Sequence, residues 1–366
     1  MILDLFKKND SILCIDVGYR NIKVLEVSLR KDCRVFVKKF GICKTPFGAI
    51  ANGSIHDTTR IVQAIKNLIT SYKMSAKTAK IIMSGTNIIT RIYSIEVMPN
   101  ETCDMAIKRT VSVYLPFLNN DYSVDYKILQ TTKKDGLDIC KVFATAVPRL
   151  VIQSYVKVLQ MLDLKPLAID IPGNSTAKFF NRISDISIPT ETSIQNNVQN
   201  SDTFAVLDFG SETTIINIMQ NRVLTFNKVI LCGSSNIDEH IAKDLGVPID
   251  VAEKLKMIYG LKLPDNESTQ EHREVYESIN NFVVKLTKQL ISCIEFYQNR
   301  FQGNRVERIF ITGGGSQLYG LDRYLGSVLN MPVSPVYSLD LKGVDLDKNI
   351  EKNKLTFMTN SLGISL

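Results

Sequence analysis

One short pattern occurs twice in this chain and limits what the chain can become. The first copy runs Leu13-Cys14-Ile15-Asp16-Val17-Gly18, passes Tyr19-Arg20, and resumes as Asn21-Ile22-Lys23-Val24-Leu25-Glu26-Val27. The second runs Ala205-Val206-Leu207-Asp208-Phe209-Gly210, passes Ser211-Glu212, and resumes as Thr213-Thr214-Ile215-Ile216-Asn217-Ile218-Met219. Each copy is an apolar strand, then Asp-x-Gly, then a tight turn into a second strand. A third segment, Ile309-Phe310-Ile311-Thr312-Gly313-Gly314-Gly315-Ser316, ends a strand in three glycines. Two such hairpins and a late glycine turn are the parts of a two-lobed nucleotide clamp.

The residue types fit phosphate chemistry. A carboxylate at a strand end, two residues before glycine, lies where phosphates enter. Magnesium keeps several waters and takes one or two carboxylates, which makes Asp16 and Asp208 candidate metal ligands. Gly18 and Gly210 let the backbone approach an anion, and the turn amides at Tyr19, Arg20 and Asn21, and at Ser211, Glu212 and Thr213, form a small anion nest. One copy alone reads as an ordinary hairpin; two copies with matched flanks favour phosphate. Lys23, Gly233 and Ser316 complete this candidate nucleotide set, and Gly313, Gly314 and Gly315 leave a bare surface for a flat purine.

Two further positions carry open readings. Glu253 and Lys256 lie one helical turn apart. They read either as a ribose contact or as a capping box from Asp250 with an i,i+3 ion pair. Asp170, in Ile169-Asp170-Ile171-Pro172-Gly173-Asn174, is the one candidate catalytic carboxylate. It reads either as a group that orients water toward a γ-phosphate or as a turn or helix-capping residue.

Composition narrows the class. Of 366 residues, 45% are hydrophobic and 22% charged, enough to build a real core. The net charge of +7 is spread out, and its densest spots, Lys7-Lys8, Lys38-Lys39 and Lys133-Lys134, carry no interleaved aromatics. Nucleic acid is therefore not the expected partner. Seven cysteines include no C-x-x-C pair, and three histidines stand away from them, so no structural zinc is expected. Cys14, Cys140, Cys232 and Cys293 read as small hydrophobes in a reduced, cytosolic chain. No apolar run suits a membrane span. The start, Met1–Lys8, reads as an arm packed on the first sheet or a short surface-seeking helix, not a signal peptide.

Periodicity places strands at 12–17, 21–29 and 35–43, a helix at 58–72 and a strand at 80–84. Residues 88–169 then read as a compact β-α-β-β-α-β block whose last strand is 166–169. Residues 186–202, rich in Ser, Thr, Asn and Gln, read as a flexible loop. Beyond the second hairpin, helices are expected at 236–245, 250–258, 275–301 and 321–329, a strand at 306–312, and a last helix at 357–366.

The duplicated Asp-x-Gly hairpins with Gly313-Gly314-Gly315 resemble the actin, sugar-kinase and heat-shock chaperone superfamily. Within it the chain resembles the PilM family of type IV pilus assembly proteins, which is related to FtsA. Asn52-Gly53-Ser54-Ile55-His56-Asp57, Tyr114-Leu115-Pro116-Phe117 leading to Asp125, Ala252-Glu253-Lys254-Leu255-Lys256 and Ser361-Leu362-Gly363-Ile364 carry that resemblance along with the hairpins. It implies an α/β, actin-like two-lobed fold of duplicated ribonuclease-H-like lobes with the β-α-β-β-α-β block inserted. The implied division is 1–87 and 170–202 for the first lobe, 88–169 for the insert and 203–340 for the second lobe with 236–300 as its outer part. The segment 341–366 is expected to return to the first lobe.

The resemblance further implies ATP with Mg²⁺ between the lobes and a cytoplasmic protein recruited to the inner face of the cell membrane through a partner. That partner is the N-terminal peptide of a PilN-like inner-membrane protein, with other pilus proteins or self-association as further options. A groove beside the insert would hold it, walled by Gly53, Ser54 and Ile55 and by Leu115, Pro116 and Phe117, although 115–117 also reads as a helix end packing its own core. Two departures argue against brisk hydrolysis: Tyr19 and Arg20 replace small residues after Gly18, and Pro172-Gly173 stands where a second acid is usual. A small-molecule kinase or ATPase of the superfamily is one alternative. An FtsA-like filament protein is the other, and the 361–366 end does not match its amphipathic tail.

Overall fold

The structure is a computed structural model that describes residues 11–30, 32, 34–114, 121–182, 202–301 and 304–366, the side chains of 111–114 excepted. The expected N-terminal arm, Leu115-Pro116-Phe117 and nearly all of the expected 186–202 loop lie outside the described residues. The chain divides into two compact units. The first runs through Lys178 and adds Val223–Asn227 and Asn360–Leu366; the second comprises Phe179–Arg222 and Lys228–Thr359.

In the first unit, β1 (Ser11–Val17), β2 (Asn21–Leu29) and β3 (Val35–Lys44) form an antiparallel meander. β1 is buried from Ile12 to Val17, as a near-continuous apolar run in a central strand should be. The short pair β4 (Ile50–Ala51) and β5 (Ser54–Ile55) turns at Asn52-Gly53, with φ of 49° and 78°, the left-handed conformations that Asn-Gly supplies at low steric cost. Helix α1 (Thr58–Ser71) starts where the Asp57 carboxylate accepts the Arg60 amide, and it buries Ile61, Val62, Ile65 and Leu68. Strand β6 (Thr78–Ile82) then lies parallel to β1.

The insert is β7 (Ile89–Val97), α2 (Cys103–Tyr114), β8 (Tyr122–Lys134) and β9 (Leu137–Pro148), a separate three-stranded sheet in the order β7-β9-β8. Ile95, Val97, Ala106, Ile107, Cys140 and Val142 form its small core. Helix α3 (Arg149–Met161) leads to β10 (Lys165–Asp170). Here the expectation needs correction: β10 pairs in parallel with β6 in the first sheet, giving β10-β6-β1-β2-β3, and is not a strand of the insert's sheet. A second correction concerns the thiols. Cys103 and Cys140 are joined by a disulfide, whereas the sequence reading treated Cys140 as a free apolar thiol.

Helix α4 (Pro172–Arg182) follows at once, a helix the sequence reading did not place, although a turn and a helix cap were among its readings of Asp170. In the second unit β11 (Thr203–Phe209) and β12 (Thr214–Gln220) repeat the hairpin, and β13 (Val223–Ile230) follows. Helices α5 (Ser234–Leu245), α6 (Ile249–Tyr259) and α7 (Gln270–Arg300) pack on one another. Strand β14 (Arg308–Thr312), α8 (Leu321–Leu329), β15 (Val333–Pro335) and α9 (Leu355–Ser365) complete the chain. The strands of this unit run in the order β12-β11-β14-β15, and Phe180, Phe204 and Phe310 pack together beside them at 5.5–5.7 Å between rings. Among the described residues no helix is long and apolar enough to cross a membrane.

Candidate functional site

Strand register brings the acidic residues to the carboxyl ends of parallel strands. Asp16 on β1 pairs with Ile82 on β6, and Ile82 pairs with Asp170 on β10, so the two carboxylates flank one strand end. Strand carboxyl ends are the usual ligand side of open α/β sheets. In the second unit Asp208 pairs with Thr312, the residue before the three glycines.

The first hairpin closes as its sequence demands. The Gly18 amide donates to the Asn21 carbonyl at 3.1 Å, and a Cβ on Gly18 would lie 2.9 Å from that oxygen. Asp16, 4% exposed, accepts from Lys23 Nζ at 3.0 Å, its cross-strand neighbour. Thr45 ties the loop down, its hydroxyl donating to the Gly18 carbonyl and its amide to the Arg20 carbonyl. The Tyr19 hydroxyl accepts the Gly53 amide at 2.8 Å, so Tyr19 clasps the β4–β5 turn.

The second hairpin repeats the backbone and changes the charge. Gly210 donates to Thr213 at 3.0 Å, and a Cβ there would lie 2.8 Å from the carbonyl. The cross-strand neighbour of Asp208 is Ile215, not a lysine. The start of α5 is strapped to this loop: Ser234 and Ser235 amides donate to Gly210 and Ser211 carbonyls, both at 2.9 Å, and Ser235 Oγ donates to Glu212 Oε1 at 2.9 Å. Gly233 precedes that helix, and a Cβ there would collide with the Ser211 carbonyl. A helix start held against a glycine loop is an anion-binding arrangement.

The three glycines differ. Gly313 has φ of 84°, and a Cβ would overlap the Asp208 carboxylate; one on Gly315 would lie 2.7 Å from the Phe209 ring. Gly314 has room, its nearest neighbour being Phe357 at 3.5 Å. Ser316 turns back, donating to the Gly313 carbonyl at 2.7 Å.

Lys256 corrects one reading. Its Nζ meets Asp238 Oδ1 at 2.7 Å and donates to the Ser234 carbonyl at 3.1 Å, and both side chains of the pair are buried. It therefore bolts α6 to α5 instead of pairing with Glu253. The capping box is also absent: Pro248 stands at the N-cap of α6, with no side-chain hydrogen bond.

Asp170 opens α4. Its carboxylate accepts from the Ile171 amide at 2.8 Å, from Asn174 Nδ2 at 2.8 and 3.1 Å, and from Lys178 Nζ at 2.8 Å. These contacts tie the end of β10 to the side chains of α4. Beside it lies a cavity of about 240 Å³, wholly within the first unit, between the insert strands β8 and β9 and the ends of β6 and β10. Phe143, Val147, Ile152 and Ile171 supply apolar wall, and Asp125, Lys127 and Asn174 supply polar groups. Burial, helped by the Lys178 charge and opposed by Asp170, holds the Lys127 ammonium below the usual lysine range. Among the described residues no cluster of three or more His, Cys, Asp or Glu is placed to hold a metal.

The chain matches the family of the type IV pilus assembly protein PilM over residues 14–366. It belongs to that family. Among solved structures it is similar to a PilM–PilN type IV pilus biogenesis complex, with a TM-score of 0.77 and 21% identity, covering 97% of each chain. It is also similar to MreB5 of Spiroplasma citri bound to AMPPNP, at TM-score 0.54 and 12% identity over 97% of this chain and 95% of that one. The fold is accordingly actin-like. Among curated proteins, the cell division protein FtsA of Neisseria meningitidis serogroup B (strain ATCC BAA-335 / MC58) is 25% identical over 143 residues, 35% of this chain. The chain spans about a third (34%) of the length of that relative.

In this PilM-family chain each hairpin places its own residues on one turn within its unit. Gly53, Ser54 and Ile55 sit on the β4–β5 turn held by Tyr19, outside the cavity lining, and Leu115, Pro116 and Phe117 fall outside the described residues. The cavity residues Lys127 and Asn174 were not among the expected site residues, and Asp125 entered only through the family resemblance. Alternating positions Ser123, Asp125 and Lys127 on one strand face were the available signal.

Proposed function

We propose that this chain is a nucleotide-dependent scaffold of type IV pilus assembly that captures the extended cytoplasmic N-terminus of a PilN-like inner-membrane protein. The peptide occupies the cavity between the insert and the first sheet, where apolar wall and a few polar groups suit alternating side chains of an extended segment. The observation that carries this reading is that cavity, in a chain of the PilM family. Capture of this kind recruits a cytoplasmic protein to the inner face of the membrane.

ATP with Mg²⁺ is the proposed cofactor, and the residues fit it. Both loops are glycine cradles that a Cβ would fill, and the second is backed by the α5 helix start. Gly18 to Asn21, Gly210 to Thr213, Gly233 and Gly313 to Ser316 would hold the phosphates and the base, with Asp208 and Asp16 toward the metal. Bound nucleotide supplies binding energy that favours one conformation over another, which requires differential affinity and no turnover. Asp170 already accepts four hydrogen bonds, so hydrolysis is proposed to be weak or absent.

Titrating a labelled peptide of the PilN-like N-terminus with and without Mg-ATP tests the scheme. Tighter capture with Mg-ATP, lost in Asp208→Ala, is expected. Equal affinity in both conditions would refute the coupling, and no binding in either would refute the partner.

A further inference from the structure

The disulfide stands one step from the cavity. Cys103 is half-buried and opens α2, while Cys140 is fully buried in β9, with Cα atoms 6.5 Å apart. The next residue, Asp104, accepts the Tyr126 hydroxyl at 2.9 Å. Tyr126 leans on the same small core that contains Cys140, and it lines the cavity. A bond between the two sulfurs therefore fixes the first turn of α2, that turn fixes Asp104, and Asp104 holds Tyr126 on the inner face of β8, the strand whose other face gives Asp125 and Lys127 to the cavity wall. Cys14, Cys43, Cys232 and Cys293 are free thiols, and burial pushes the Cys14 thiol up to about 12, which leaves it inert. In a reducing compartment a disulfide among free thiols is characteristically transient and redox-sensing.

We propose that Cys103 and Cys140 form a redox-responsive staple that tunes peptide capture by the neighbouring cavity, a proposal that rests on the peptide reading above. The oxidant is a small-molecule disulfide such as oxidised glutathione. The Cys103 thiolate attacks one sulfur and releases one glutathione. Cys140 loses its proton and attacks the Cys103 sulfur of the mixed disulfide, releasing the second. Two protein thiols lose two electrons and two protons, and these leave on two molecules of glutathione. A dithiol reverses the sequence. The closed staple preorganises the wall, so the oxidised chain binds the peptide more tightly.

The test uses the full chain equilibrated in dithiothreitol or in oxidised glutathione. Maleimide labelling with mass mapping reports which thiols react, and anisotropy reports affinity for a fluorescent peptide of the PilN-like cytoplasmic N-terminus. Protection of Cys103 and Cys140 on oxidation is expected, with a Kd at least about fivefold lower (~1 kcal/mol) than in the reduced chain. Cys103→Ser and Cys140→Ala should each abolish the difference. Tyr126→Phe keeps the ring and loses the hydroxyl, and it should shrink the difference while the pair still forms. A pair that forms with no change in Kd overturns the proposal, as does labelling of both cysteines in the oxidised chain. If the peptide binds in neither state, the partner assignment fails. Hydrogen exchange at 103–110 then decides the staple: slower exchange on oxidation supports it, and unchanged exchange overturns it.

Discussion

Lys256 offers the sharpest test of how the nucleotide half is built. Its contacts are internal: Asp238 Oδ1 at 2.7 Å and the Ser234 carbonyl at 3.1 Å, with Lys256 7% and Asp238 4% exposed. Truncating one partner of a buried pair leaves the other charge desolvated, which costs about 3–5 kcal/mol. For a unit of this size each kcal/mol lowers Tm by about 2–4 °C, so Lys256→Met should lose roughly 10 °C without any nucleotide present. Differential scanning calorimetry of the ligand-free chain reads this directly. Lys256→Met with Asp238→Leu removes both charges and should recover most of the loss, because the orphaned charge is the main penalty. If Lys256→Met left the ligand-free Tm unchanged and weakened only ATP affinity, the lysine would be a nucleotide contact and the bolt argument would be wrong.

Four other outcomes follow from the same geometry. Gly363→Ala would drive a Cβ into the Ser175 carbonyl where α9 crosses α4, costing upwards of about 2 kcal/mol in denaturant unfolding, whereas Gly314→Ala, with open space, should leave stability unchanged. Tyr19→Phe removes the acceptor of the Gly53 amide, and that amide should exchange faster with deuterium, at a cost of about 1 kcal/mol. Ile215→Lys copies the Lys23 register opposite Asp208 and should lower Mg-ATP affinity in calorimetric titration; unaltered affinity would remove Asp208 from the metal assignment. Lys80 donates to the Ile364 and Ser365 carbonyls, and burial lowers its pKa, so between the folded value and the free-lysine value of about 10.4 the unfolded chain binds more protons. Stability from this group therefore rises with pH in that window, and Lys80→Met should flatten the rise in denaturant titrations at stepped alkaline pH.

Much of this was legible in the sequence, for physical reasons that differ by element. Strands β1, β2, β11 and β12 were plain because apolar runs end in Asp-x-Gly and the glycine is compelled by the carbonyl three residues on. Helix α4 was missed because Pro172-Gly173 looks like a turn. Proline is at home in a first helical turn, and Asp170 takes the Asn174 and Lys178 side chains of that helix. Helix α7 begins at Gln270, ahead of the expected 275, because Thr269 accepts the His272 amide before the apolar stripe starts. The placement of β10 failed because parallel pairing with β6 joins strands distant in sequence. Lys256 read either as a ribose contact or as a local partner of Glu253, and neither reading could show the ion pair with Asp238 on another helix. The Cys103–Cys140 bond, 37 residues apart, follows no spacing rule.

The two hairpins share a backbone and diverge in electrostatics, and that divergence bears on mechanism. Each closes with the same glycine-to-carbonyl bond, 3.1 Å in one and 3.0 Å in the other, so the repeat preserves the cradle. In the first, Lys23 neutralises Asp16 inside the protein, and Tyr19 is committed to the β4–β5 turn. A loop built this way answers to its own unit: a change at Gly18 to Asn21 moves Tyr19, then the Gly53 turn, then the Ser84-Gly85 backbone against which that turn packs. In the second, Ile215 replaces the lysine, and Ser234 and Ser235 tie the loop to a helix start. The helix start held against the second loop supplies fixed amide dipoles that suit an anion such as phosphate. The repeat thus keeps one backbone closure and changes what stands opposite the carboxylate: Lys23 in the first hairpin and Ile215 in the second.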